Sequence, residues 1–287
     1  MTTTRLETES PRQAVFYLIG AVFFFSTSGV LIKLSSWPAL ALNGGRSFVA
    51  ALFFLAVVGR PKTKWTPIKV GGAVAYVATL LTFVMATQLT TAANAVFLQF
   101  TAPIWVALLS IWLLKEMPRR SDLIFMVIVL LGMGLFFADE LTPAGMSGNL
   151  IAIFSGICFA FMLTLLSKER TGSPLEIVLL GNILSGLVGL PSLLQQRWEW
   201  REVLIILVLG LFQLGFPFLL YTVALRRLRA LEIMLIQSLE PILNPIWVYL
   251  VVAELPTPMA LLGSAIVFLA VTGRAYTTIR EHKEALR

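Results

Sequence analysis

Charge is scarce in this sequence. Asp, Glu, Lys and Arg make up 13% of the 287 residues, against about 25% in ordinary soluble domains. With 58% of the residues apolar, a water-facing globule could not cover itself with polar surface, so the solvent must be lipid. Cysteine occurs once, as Cys158, and histidine once, as His282. That excludes an intramolecular disulfide, a zinc cluster and a Cys-His nucleophilic pair, and no metal or cofactor is expected. Cys158, inside an apolar run, reads as helix packing, and His282 as a solvated side chain. A membrane-embedded enzyme would need clustered His, Cys, Asp or Glu near a membrane face, and none is evident along the chain. The G-x-x-x-x-G-K-[ST] loop of nucleotide-driven pumps is also missing. The net charge of +7 would point to nucleic acid in a soluble protein, but here it must first be set against the excess of cations in cytoplasmic loops. No nucleic-acid partner is expected.

What the chain has is long apolar runs. Spans are expected near 13 to 34, 38 to 58, 67 to 88, 92 to 114, 122 to 138, 148 to 167, 175 to 195, 202 to 225, 231 to 252 and 258 to 278, an all-α membrane protein of ten transmembrane helices. The first run follows a polar leader with Arg5, Glu7, Glu9 and Arg12 and lacks a small-residue cleavage site, so residues 1–12 read as a cytosolic tail. An even number of spans then gathers most cations, among them Arg60, Lys62, Lys64, Lys69, Arg119, Arg120, Arg229 and Arg274, on the inner side, leaving Lys33, Arg197 and Arg201 outside with Asp139 and Glu140. Both termini are expected in the cytoplasm, residues 279–287 forming the second tail. Trp37, Trp65, Trp198 and Trp200 fall at span ends, where an indole anchors in the headgroup region.

Residues 92–137 lie over 230–275 without a gap at an offset of 138. The match includes residue types uncommon in a span: Gln99 with Gln237, Pro103 with Pro241, Glu116 with Glu254 and Pro118 with Pro256. Lys33 and Lys168 align near an offset of 135, which makes each repeat five spans long, 13–138 and 148–278. Five is odd, so the halves are expected to be inverted, a plan on which secondary transporters rock about a midplane site. LQFTAPIWVALLSIWLLKE (98–116) and IQSLEPILNPIWVYLVVAE (236–254) resemble the fourth helices of the two EamA repeats of the drug/metabolite transporter superfamily. Arg46 matches an arginine that the family often carries in its second span. The family pattern closes on Gly-Glu, where this chain has Lys115 and Ala253 before the two glutamates. Within the superfamily the chain is similar to the YddG-type exporters. That resemblance implies export of aromatic and other neutral amino acids across a bacterial inner membrane. Multidrug or lipid export within the same superfamily is the alternative. Short loops are compatible with a monomer.

In lipid every interior polar group needs a reason. A proline frees the carbonyl four residues earlier, and a glutamine occupies that earlier position three times: Gln99 before Pro103, Gln213 before Pro217 and Gln237 before Pro241. Each pair is expected to kink its helix and to set a carbonyl and an amide at one level, fit for a zwitterion. The competing reading is a kink satisfied by neighbouring Ser and Thr. Arg46 and Glu240 should face inward, as charges that bind substrate or, for Glu240, exchange a proton, or else in a structural ion pair or a helix–helix hydrogen bond. Tyr76, Thr79 and Phe83 share a helix face, and Phe100, Phe159, Phe161 and Phe216 are further candidates for an aromatic chamber. Such a chamber suits a neutral amphipathic solute better than a phosphate. Most phenylalanines in such a protein nonetheless face lipid or pack helices.

Overall fold

Backbone that meets lipid must satisfy its own N–H and C=O groups, which a helix does within one segment. The computed structural model describes residues 11–59, 65–136, 145–171, 173–252 and 257–284; Glu254, Pro256, Arg60, Lys62, Lys64, Asp139 and Glu140 lie outside them. Among the described residues all regular structure is helical: α1 (Pro11–Phe25), α2 (Ser28–Leu34), α3 (Ala39–Val58), α4 (Pro67–Leu89), α5 (Ala92–Gln99), α6 (Ala102–Leu109), α7 (Arg120–Phe136), α8 (Met146–Lys168), α9 (Pro174–Leu193), α10 (Trp200–Val208), α11 (Phe216–Leu225), α12 (Ala230–Gln237), α13 (Glu240–Val252) and α14 (Pro258–Glu284). Among the described residues eight helical runs are long and apolar enough to cross a membrane: Pro11–Leu34, Ala39–Val57, Pro67–Leu89, Asn94–Leu114, Met146–Lys168, Pro174–Leu193, Trp200–Leu225 and Leu261–Glu281. The other two expected spans fall on the 17-residue α7 and the interrupted pair α12–α13, neither of which is among these eight.

The burial pattern is that of a protein solvated by lipid. Leu52, Leu131, Leu150 and Leu269 are exposed, whereas Asn43, Arg46, Ser155 and Asn182 are buried. Polar starts are capped locally. Thr66 accepts from the Lys69 N–H ahead of α4, with Pro67 in the first turn, and Thr91 accepts from the Asn94 N–H ahead of α5.

Helices stop where proline removes a donor. α5 ends at Gln99 and α12 at Gln237, the same offset of 138, before α6 and α13 resume with Pro103 and Pro241 in their first turns. At Gln213 and Pro217 the chain stays helical by widening into a π-helical stretch, Leu209–Gly215. A second π stretch, Ser110–Leu114, ends the α6 run. There Lys115 turns left-handed at φ 56°, while its N–H and that of Glu116 both bond the Ser110 carbonyl. This is the position where the resembled pattern has glycine. A left-handed non-glycine residue costs roughly 1–2 kcal/mol, partly offset by the flexibility glycine gives the unfolded chain. Lys115→Gly is therefore expected to stabilise the protein by about 0.5–1 kcal/mol, read as a rise in thermal midpoint in detergent.

α3 packs on α9, α4 on α8, α1 on α11 and α7 on α14. Glu116, closing the α6 run, meets Arg229 at the start of α12: Arg229 Nε lies 3.3 Å from Glu116 Oε2, and Nη2 donates to the Met117 carbonyl at 2.7 Å. The end of the first repeat segment thus meets the start of the second. α3 and α9 approach backbone to backbone at Gly44 and Gly189. Trp37 differs from the expected anchor: Trp198 covers it edge-on at 5.3 Å, and it is buried. Trp65, Trp198 and Trp200 are exposed.

Candidate functional site

A cavity opens where the interrupted helices meet. Both halves of the chain line it: Phe25, Ser28, Thr79, Leu80, Phe83 and Gln99 from the first, and Phe159, Met162, Gln213, Leu214, Phe218, Tyr221, Gln237 and Glu240 from the second. Counted as room for the centres of water-sized spheres, its volume is about 50 Å³, enough for a few waters at roughly 10–15 Å³ each. A larger solute must move side chains to enter this state.

The three glutamines converge, each in a different polar setting. Gln99 Nε2 donates to Ser155 Oγ at 2.8 Å, and Ser155 donates onward to the Thr79 carbonyl at 3.1 Å. Gln237 Nε2 donates to Glu240 Oε2 at 3.2 Å, on the next helix of the same broken run. Gln213 Oε1 accepts from Arg46 Nη1 at 3.1 Å. Arg46 itself lies behind the wall, fully buried, with Nε and Nη2 on Asn43 Oδ1 at 3.2 and 3.0 Å and Nη2 on the Leu80 carbonyl at 3.5 Å. Among the described residues no carboxylate lies within ion-pair distance of it. Arg46 is thus held by hydrogen bonds between helices rather than by a structural ion pair.

Several expected chamber residues sit elsewhere. Tyr76 is buried behind the wall, its hydroxyl accepting from Asn182 Nδ2 at 2.9 Å and its ring 5.2 Å from Phe218. Phe100 is buried at the α5 break outside the cavity lining. Phe161 is half-buried and faces away, because residues two apart on a helix point to different sides and Phe159 takes the cavity side. Phe216 is 40% exposed and stacks edge-on against Phe24. Phe218 takes the inward side instead, four residues after Leu214 and three before Tyr221, the ordinary spacing of one α-helical face. The freed backbone carbonyl of Gln99 also departs from expectation. It lies against Gly156, where a Cβ would come within 2.6 Å, so it serves helix packing and not the cavity. Phe25, Ser28, Met162, Phe218 and Tyr221 carried no sequence signal beyond ordinary apolar or small-residue content.

Carboxylates do gather at one end of the bundle, each against arginine. Arg274, buried in α14, lies 2.6 Å from Asp122 Oδ1, without the N–H aligned on it, and donates to Glu232 Oε1 at 2.9 Å. Asp122 and Glu232 are equally buried. Arg119 pairs with Glu281, and Arg170 with Glu116 at 3.4 Å. Nearby, Lys69 and Glu176 form a buried pair at 2.5 Å. The described residues hold no group of three or more His, Cys, Asp or Glu able to bind a metal. At the opposite end the contacts are mostly of another kind: Lys33 to the Thr90 carbonyl at 3.0 Å, Thr90 to Asn149 at 2.9 Å, and Glu202 accepting from Ser35 and Ser36.

Known proteins share this plan. The threonine/homoserine exporter RhtA of Escherichia coli is 26% identical over 197 residues, 66% of this chain and 64% of the relative. The same exporter of Salmonella typhimurium is 25% identical over 195 residues, 65% and 63% of the two chains. The match thus spans just under two thirds of the length of these exporters. An uncharacterized transporter of Archaeoglobus fulgidus is 28% identical over 233 residues, 78% of this chain and 81% of the other. A solved crystal structure superposes with a TM-score of 0.76 over 94% of this chain and 98% of that one, at 17% identity, a likeness of fold. The EamA-like transporter family matches residues 12–138 and again 146–274, and with both halves of the helical bundle so accounted for, the chain belongs to that family of membrane transporters.

Proposed function

We propose that the protein exports small neutral solutes, foremost free amino acids, across the bacterial inner membrane by alternating access. Its architecture on this reading is ten transmembrane helices in two inverted five-helix repeats with both termini cytoplasmic. The observation that carries the reading is the central cavity, to which three interrupted or widened helices bring Gln99, Gln213 and Gln237, with Glu240 beside them. A wall that mixes aromatic and aliphatic side chains with polar points from Ser28, Thr79, the three glutamines and Glu240 suits an amphipathic solute. The inversion is supported by the Glu116–Arg229 contact, which sets the end of one repeat segment against the start of the other, and the two-fold repeat by a packing pattern that survives exchange of the halves. Under that exchange α3–α9 and α7–α14 map on themselves, and α4–α8 maps on α11–α1. The relatives named as threonine/homoserine exporters favour a small hydroxylated amino acid, while Phe25, Phe83, Phe159 and Phe218 favour an aromatic one. The same rings keep a drug or lipid as the second reading.

The test is flux of labelled threonine, methionine and phenylalanine in liposomes holding the purified protein, with and without a pH gradient, beside Glu240→Gln. Saturable flux of at least one of them is expected. Its loss by about tenfold or more in the variant would mark Glu240 as a substrate or coupling group. No flux of any amino acid would overturn the reading in favour of apolar drugs or lipids.

A further inference from the structure

Arg46 has donors and no acceptor, so it can bond only the oxygen of the Gln213 amide. Its hydrogen bond at 3.1 Å therefore fixes which way that amide faces. The NH2 end is left over. Among the described residues it has no protein acceptor, and Gln213 lines the cavity. The wall at this point presents two N–H donors with a buried guanidinium behind them, and Asn43 holds the guanidinium through two of its nitrogens.

The α12–α13 break presents the opposite polarity. Gln237 spends its N–H on Glu240, which leaves Gln237 Oε1 buried and without a partner among the described residues; the Tyr221 hydroxyl is in the same condition. Both side chains line the cavity with Glu240. Buried polar atoms without partners are uncommon in folded proteins and call for an explanation. A bound cationic group that donates several hydrogen bonds supplies one.

We infer that the cavity takes a zwitterion in one orientation, its carboxylate on the Gln213 amide backed by Arg46 and its ammonium on Gln237 Oε1, Glu240 and Tyr221. This rests on the amino-acid reading above and sharpens it: Arg46 is a positioning residue that sets donor polarity, and a solute with only one of the two charges leaves the other wall unanswered. Arg46 and Glu240 are charges of opposite sign, and a zwitterion laid between them keeps the site neutral.

The experiment is isothermal titration of the purified protein with threonine and phenylalanine, each as the free amino acid, the methyl ester (a cation) and the N-acetyl derivative (an anion). Wild type is expected to bind the free forms about 10- to 100-fold more tightly than either derivative, the range for hydrogen bonds to charged groups. Gln213→Glu keeps Arg46 satisfied, so it should fold, and it replaces the donor by an oxygen anion. It is expected to reverse the ranking so that the ester binds best. Arg46→Gln should lose the preference over the ester, and Arg46→Lys should keep part of it. Equal weakening of all three forms in these variants would mean a purely structural Arg46 and would overturn the inference. A free amino acid that binds with unchanged ranking in Gln213→Glu overturns the polarity alone. Wild type that binds none of the six overturns the amino-acid reading and this one with it.

Discussion

Arg274→Ala is expected to destabilise the protein by about 3 kcal/mol, because it takes from the buried carboxylates of Asp122 and Glu232 their nearest cation and leaves them only Arg229 and Arg119, at 3.6 and 3.8 Å. The magnitude comes from the carboxylates, not from the attraction lost. Each is buried as completely as the arginine, and an uncompensated charge in a low-dielectric interior must either hydrate or take up a proton. Removing all three charges together should therefore cost much less than removing one. Chemical unfolding in detergent would compare Arg274→Ala with a triple variant carrying Arg274→Met, Asp122→Leu and Glu232→Leu. A single variant as stable as the parent would show that water reaches the two acids. Arg119 and Glu281 sit at the rim of this network, Arg119 45% exposed, and substitutions there are expected to matter far less.

Gly189→Leu is expected to be the second most damaging single change. A Cβ at Gly189 would lie 2.4 Å from the Leu40 carbonyl oxygen and 2.5 Å from Gly44 Cα, both backbone atoms that cannot swing aside. Between helices in lipid the apolar solvent provides no hydrophobic drive, so close contact carries the association. Alanine alone should cost about 1–3 kcal/mol as an overpacked contact, and leucine more. Because α3 also carries Arg46, the displacement should reach the cavity and weaken solute binding together with stability. Gly44→Ala and Gly189→Ala combined should cost less than their sum, since the first already parts the helices. Additive losses, measured by the same unfolding assay, would mean that the two glycines act separately.

Much of the cavity could be read from one-dimensional spacing. The glutamine four residues before a proline marks a helix that must break or widen, and all three such helices do so at the same level of the bundle. Glu240 beside the second break follows from the same reading. Which aromatic rings face the cavity was not legible, because that depends on helix rotation. Phe218 turns inward with Leu214 and Tyr221 while Phe216 turns outward, and no propensity of Leu209–Gly215 announces the π-helical widening before them. Ion-pair partners were equally hidden: Asp122, Glu232 and Arg274 look like loop-edge charges in the sequence, and only the packing of α7, α12 and α14 brings them together. Trp37 likewise has the composition of an interfacial anchor but lies under Trp198.

The placement of Arg274 bears on how the chain is made. Its acceptor Glu232 is synthesised 42 residues earlier, and Asp122 earlier still, in the other half of the molecule. During elongation both acids wait with only the looser contacts of Arg229 and Arg119, at 3.6 and 3.8 Å, until Arg274 arrives. The α12–α13 segment, short and carrying Glu232 and Glu240, is correspondingly a poor candidate for independent entry into the bilayer. Its settling is tied to the arrival of α14, so the last helix acts as the latch of assembly. A chain that stops before α14 lacks the fully buried arginine of this network and leaves Asp122 and Glu232 to Arg229 and Arg119 alone.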